Sequence, residues 1–197
     1  GAANRNHRMI ILEYDNQAYM NTGAQLSYST PMGHQTSTSE VGSRLSGKAT
    51  HHKDTTQIFA SCHLPYVFQA SEGYPEDLMR KVAKAQWYAK REGLVYGKVL
   101  SFCPLNWRTK DDGAQDVLQT AVDSCFFPLY EVEKGITSIT YDPDAIDRRK
   151  SVSDWLNLMG KTRHLLKPGN EEFIRSIDDE VERRWKRLKA MHSHPEL

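Results

Sequence analysis

Long apolar runs are missing from this chain of 197 residues. Stretches such as Met9-Ile10-Ile11-Leu12 stop after four residues, far short of a bilayer span, so no transmembrane helix is expected. Excess charge of either sign is also missing. Twenty-six Lys and Arg oppose 25 Asp and Glu, a net charge of +1. That balance argues against a dedicated nucleic-acid or membrane surface, since both need clustered cations. Cysteine is scarce: three residues with no close pair exclude a disulfide framework and suit a reducing compartment, so a cytoplasmic setting is expected. Residues 1–8 are mostly polar, with no apolar region behind them, so no secretory leader is expected at this end. There are no internal repeats, no Ser/His/Asp arrangement and no paired carboxylates. His51-His52 lacks partners at ligand spacing.

What is present suffices for one sizeable core or two small ones. Met9 to Leu12 reads as a short, buried parallel strand. No earlier strand precedes it, so the rest of its sheet is expected from an upstream segment or another polypeptide. Asp54 to His63 reads as a helix capped by Asp54, with Ile58, Phe59 and Cys62 on one face. Tyr66 to Ala70 is a second strand. Pro75 opens a helix with Glu76 and Asp77 in its first turn and Leu78, Val82, Ala85 and Ala89 at helical spacing, and Gly93 stops it. Leu94 to Phe102 is a third strand. Strand and helix in alternation mean βαβ units and a parallel sheet. Beyond Trp107 come a helix over Ala114 to Cys125, a hairpin turning at Lys134-Gly135, and an amphipathic helix over Glu171 to His192. The fold class is therefore α/β: a partial doubly wound parallel sheet with a C-terminal hairpin and helical extension.

Two segments stay irregular and polar. Residues 27–57 form a loop of about thirty residues, a length that is uncommon unless functional. Residues 13–25 carry Asp15, Asn16, Gln17, Asn21, Thr22 and Gln25 at a strand's carboxyl end, where open α/β sheets bind ligands. Their hard oxygen atoms suit Mg²⁺, which accepts few protein ligands and leaves room for phosphate. The same composition also fits an ordinary Asx-rich turn.

Tyr14-Asp15-Asn16-Gln17-Ala18-Tyr19-Met20-Asn21-Thr22-Gly23 with Gln25, followed by Ser29-Thr30-Pro31-Met32-Gly33, resembles the thiamine-diphosphate loop of the 2-oxoacid:ferredoxin oxidoreductases. Leu64-Pro65-Tyr66-Val67, Tyr74-Pro75-Glu76-Asp77 and Leu100-Ser101-Phe102-Cys103-Pro104 with Trp107 continue the likeness in order, over residues 4–130. It is most similar to the thiamine-diphosphate-binding β subunit of the pyruvate type. On that likeness residues 1–130 are the C-terminal part of a thiamine-diphosphate-binding domain, and residues 131–197 its extension.

The resemblance implies that Asn16 gives its side-chain oxygen and Ala18 its carbonyl to Mg²⁺. Tyr19 and Met20 would lie along the diphosphate. Asn21 and Thr22 would sit beside the reacting centre. Cys103 would be the late ligand of a 4Fe–4S cluster, whereas the residues alone read it as an inert thiol. The implied activity is oxidative decarboxylation of a 2-oxo acid, pyruvate before oxalate, with coenzyme A taking the acyl unit and ferredoxin the electrons. Other subunits would complete the site. The family's upstream Gly-Asp-Gly loop and early cluster cysteines do not occur in these 197 residues. A non-catalytic scaffold and a thiamine-dependent enzyme without iron–sulfur remain the alternatives.

Overall fold

The computed structural model describes residues 1–196. Its elements are α1 (Ala2–Arg5), β1 (Ile10–Asp15), α2 (Thr55–Ala60), β2 (Tyr66–Ser71), α3 (Pro75–Arg91), β3 (Val95–Leu100), α4 (Pro104–Trp107), α5 (Ala114–Asp123), β4 (Tyr130–Glu133), β5 (Ile136–Ile139), α6 (Val152–Asn157) and α7 (Glu171–Ser193). The five strands form one sheet in the order β1-β3-β2-β4-β5. β1 and β2 flank β3 in parallel, with Asp15 and Ser71 both opposite Leu100. β4 and β5 add an antiparallel hairpin to the same sheet, so its core runs unbroken past residue 130. Lys134 and Gly135 both have positive φ, the backbone that a two-residue hairpin turn with right-handed twist requires.

Alternation sorts β2 between two layers. Tyr66, Phe68 and Ala70 pack under α3 with Ala85, Tyr88, Val95 and Val99. Val67 faces the other way, into a core shared with α5, α6 and α7 through Val117, Ala121, Trp155, Val181 and Trp185. Helices thus cover both faces, as the doubly wound reading requires. None of the described helices is long and apolar enough to cross a membrane.

The structure corrects or adds to the sequence expectations at four places. β1 is half exposed, not buried. It lies at the sheet edge, pairs among the described residues only with β3, and leaves Met9, Leu12 and Tyr14 in solvent, Tyr14 at 67% exposure. Asp54 does cap α2, accepting from Gln57 N at 3.2 Å, but the inward residues are Thr56 and Phe59, whose ring stacks on Tyr96 at 4.0 Å. Ile58 and Cys62 point outward, because the short helix lies on β3 through its Phe59 side. The 27–57 loop is irregular yet packed. Lys48 Nζ donates to the carbonyls of Ser27, Tyr28 and Thr30 at 3.3, 3.4 and 2.6 Å, doing by side chain what a strand partner would do. Its other contacts reach the extension: His34 lies 5.5 Å from the Trp155 ring, and Ser46 Oγ donates to Asn170 at 3.3 Å. Finally, α6 is a helix in a stretch where periodicity gave no signal. A capping box between Ser151 and Asp154 starts it, and Trp155 and Leu156 bury it.

Candidate functional site

The parallel strands end together. Ser101 N donates to the Asp15 carbonyl at 3.1 Å, so the chain leaving β3 runs beside the chain leaving β1. Glu72, just past β2, accepts from Ser101 Oγ at 2.8 Å and Phe102 N at 3.0 Å. Three strand ends are therefore stitched into one rim, with Asn16 and Cys103 both on it.

The turn after β1 is held from several directions. Asp15 is buried; its Oδ1 accepts from Gln17 N at 2.9 Å and its Oδ2 faces Lys98 Nζ at 3.1 Å. That carboxylate is spent on the fold, so it is not a free metal ligand. Asn16 uses its backbone carbonyl twice, accepting from Asn106 Nδ2 at 2.6 Å and Trp107 Nε1 at 3.1 Å. Both donors belong to α4, which Cys103 immediately precedes. The segment of the expected cluster ligand thus pins the expected metal ligand in place. Gln17, 2% exposed, adopts left-handed backbone (φ 70°), and its carbonyl accepts from Thr30 Oγ1 at 2.6 Å.

What is left free fits a hard cation. Asn16 Oδ1 has one long contact, from Ala18 N at 3.3 Å, and the half-buried Ala18 carbonyl accepts no hydrogen bond from the described residues. Two oxygen donors two residues apart match a magnesium ion that also binds diphosphate. They are half a site: no group of three His, Cys, Asp or Glu side chains able to hold a metal occurs among the described residues. Tyr19 and Gln25 close the rest of the loop by a two-way backbone bridge, 3.0 and 3.1 Å. Met20 is half-buried; Asn21 and Thr22 lie exposed at its tip, Thr22 tied to Gln25 Oε1 at 2.6 Å. An open cleft of about 360 Å³ runs between residues 24–41 and α4, past Asn106 and Arg108.

A cluster does not fit these residues alone. Cys103 is half-buried at the start of α4, while Cys62 is exposed just past α2 and Cys125 is buried after α5, its thiol pushed up to about 12 by desolvation. Neither of the others stands on the rim.

The thiamine pyrophosphate enzyme C-terminal TPP-binding domain family matches residues 1–96. Pyruvate synthase subunit PorB of Methanocaldococcus jannaschii is 40% identical over 91% of this chain and 58% of its own length. The Thermotoga maritima PorB is 37% identical over 97% of this chain and 57% of its own. The ketoisovalerate oxidoreductase subunit VorB of Pyrococcus horikoshii is 34% identical over 97% and 59%. The chain belongs to the 2-oxoacid:ferredoxin oxidoreductase family, with its thiamine-diphosphate-binding subunits. It spans a little under three fifths of the curated relatives it matches. Among solved structures, a 2-oxoglutarate:ferredoxin oxidoreductase from Magnetococcus marinus aligns at TM-score 0.45 and 23% identity, over 52% of this chain and 33% of that one, too loosely to assign residues.

For a subunit of this family, several residues on the rim escaped the sequence reading. Lys98 was legible: a lysine inside the apolar run of β3 is a buried charge wanting a partner. Glu72 and Asn106 carried no such signal, since acidic and amide residues in loops are ordinary. Lys161 lies in the extension, 144 positions from Gln17, yet its Nζ donates to Gln17 Oε1 at 3.1 Å.

Proposed function

We propose that this chain supplies half of the magnesium–thiamine diphosphate site of a 2-oxoacid:ferredoxin oxidoreductase. The turn at residues 16–18 carries the reading: two hard oxygens at the carboxyl edge of a parallel sheet, one with a single long contact and the other accepting no hydrogen bond from the described residues, pinned through Asn106 and Trp107 to the Cys103 segment. Asn16 Oδ1 and the Ala18 carbonyl hold the metal. Tyr19 and Met20 run along the diphosphate. Asn21 and Thr22, at the exposed tip, meet the substrate. When bound, the cofactor would supply a carbon nucleophile and an electron sink for decarboxylation of the 2-oxo acid. Pyruvate with coenzyme A as acyl acceptor is the favoured pair, in keeping with the two pyruvate synthase relatives; oxalate or a branched 2-oxo acid follows.

Cys103 provides one thiolate to a 4Fe–4S cluster whose other ligands come from outside these residues, and ferredoxin takes the electrons. The unpaired edge of β1, with Leu12 and Tyr14 beside it, is the surface that the rest of the assembly covers. The setting is the cytoplasm, where isolated cysteines stay reduced.

Asn16→Ala in the assembled complex is expected to weaken magnesium–thiamine diphosphate binding by at least ~10-fold, because one of few protein oxygens is lost. Titration calorimetry showing wild-type affinity would remove the assignment, and a scaffold would give that result. Cys103→Ser is expected to lower iron content while leaving cofactor affinity intact. Full iron occupancy in that variant would exclude the ligand role and favour an enzyme without iron–sulfur.

A further inference from the structure

The C-terminal extension sends one charge into the interior beneath the cofactor turn. Lys161 follows α6 and is 1% exposed. A buried ammonium normally spends all three N–H groups on acceptors. Lys161 has one acceptor among the described residues, Gln17 Oε1 at 3.1 Å, and the Trp107 ring with its centroid 5.7 Å away. Both contacts lead to the same place. Gln17 is the left-handed residue between Asn16 and Ala18, and Trp107 is a donor to the Asn16 carbonyl.

Left-handed backbone costs a non-glycine residue free energy and persists only where its surroundings over-determine it. Here the surroundings are the Asp15 carboxylate on Gln17 N, the Thr30 hydroxyl on its carbonyl and Lys161 on its side chain. The first two are neutral or already neutralised. Only Lys161 brings a buried amine with no acidic partner bonded to it among the described residues, an arrangement that stability alone does not favour. Burial pushes Lys161 down to about 7; of the groups that face it, Asp15 and Cys103 favour its charge and Arg108 opposes it, and buried His34 stands by with neither ring nitrogen partnered among the described residues.

We propose that Lys161 is a positioning residue for the cofactor: anchored on Gln17 and packed on Trp107, it holds the strained turn in the geometry that presents Asn16 and Ala18 to magnesium diphosphate. The proposal rests on the cofactor reading above. It makes the extension part of the site, although no residue beyond Trp107 resembles a cofactor motif.

The test uses the assembled complex and the variants Lys161→Met, Gln17→Leu and Asn16→Ala. Magnesium–thiamine diphosphate affinity is measured by calorimetry, and the melting midpoint of the cofactor-free complex by scanning calorimetry. Lys161→Met keeps the length of the side chain and removes the charge. It is expected to weaken binding about 10-fold or more, as loss of a supporting contact behind a metal ligand does. The apparent KM for the cofactor should rise, kcat at saturating cofactor should hold, and the cofactor-free midpoint should stay level or rise. Gln17→Leu should show the same loss, and the double variant no additional loss. Unchanged affinity in Lys161→Met, beside weakened Asn16→Ala, overturns the positioning role and leaves the cofactor reading standing. Unchanged affinity in Asn16→Ala overturns both. A lowered midpoint with affinity falling in parallel makes Lys161 a structural residue and also overturns the proposal. If Lys161→Met does not assemble, wild-type affinity in Gln17→Leu does so.

Discussion

Gly97→Val is expected to destabilise the protein by more than ~3 kcal/mol, at or beyond the upper range for overpacked cores. Gly97 sits mid-way along β3, the central parallel strand, opposite Leu12 on one side and Phe68 on the other. A Cβ there would fall 2.2 Å from Phe68 Cζ and 2.5 Å from Cε1. The ring cannot swing away. Phe68 is fully buried and stacks at 5.6 Å on Tyr66, which itself stacks on Tyr88 of α3. The gap left by the missing side chain is the seat of the ring. Urea titration of the complex should show the midpoint fall already with Gly97→Ala. Phe68→Leu in that background should restore part of the loss, because the nearest clashing atoms all belong to the ring. A Gly97→Ala midpoint at the wild-type value would contradict this packing.

Asp77→Ala is expected to cost about 3–5 kcal/mol, the usual result of stripping one partner from a buried ion pair. Lys81 is fully buried on the inner face of α3, and its three donors are all used: Asp77 Oδ2 at 2.6 Å, the Gln69 carbonyl at 2.8 Å and Thr140 Oγ1 at 2.8 Å. The ammonium joins α3, β2 and the strand end after β5. Desolvation pushes Lys81 down to about 8, with Asp77 pulling the other way. The sign of the pH effect follows. Between about pH 8 and the lysine's unfolded value of about 10.4, the unfolded chain binds more protons than the folded one, so Lys81 makes stability rise with pH across that window. Below it, the cost of burying the charge is fully present and level. Without Asp77 the folded value drops further and the window opens at lower pH. The variant should therefore regain more stability than wild type when pH is raised from about 7 to about 10. A loss that stays constant over that interval would show that Asp77 acts only through packing. The double variant Asp77→Leu with Lys81→Met should recover most of the loss, since neither charge is then left alone.

The contrast between Lys81 and Lys161 separates two uses of a buried cation. Lys81 has a carboxylate and a full set of acceptors, and it holds the fold together. Lys161 has a single acceptor among the described residues, and that acceptor belongs to the left-handed residue of the turn after β1.

Local chemistry wrote much of this protein into its sequence. Pro75, the acidic first turn and Gly93 bound α3 because their effects act within one or two helical turns. The Lys134-Gly135 turn specified the β4–β5 hairpin, and the apolar spacing of Ile177, Val181, Trp185 and Leu188 specified the buried stripe of α7. The loop over residues 14–25 was legible only through its resemblance to a family motif, since its residues alone fit an ordinary Asx-rich turn equally well. What only the tertiary structure decided are the long-range terms. Periodicity could not say that β1 lies at an edge, since burial of a strand depends on its neighbours rather than on its own residues. Nor could it show that Asn106 and Trp107 grip the Asn16 carbonyl, or that Lys161 reaches Gln17 across 144 positions. A hydrogen bond leaves no mark on the spacing of either partner, so these contacts exist only once the chain has closed on itself.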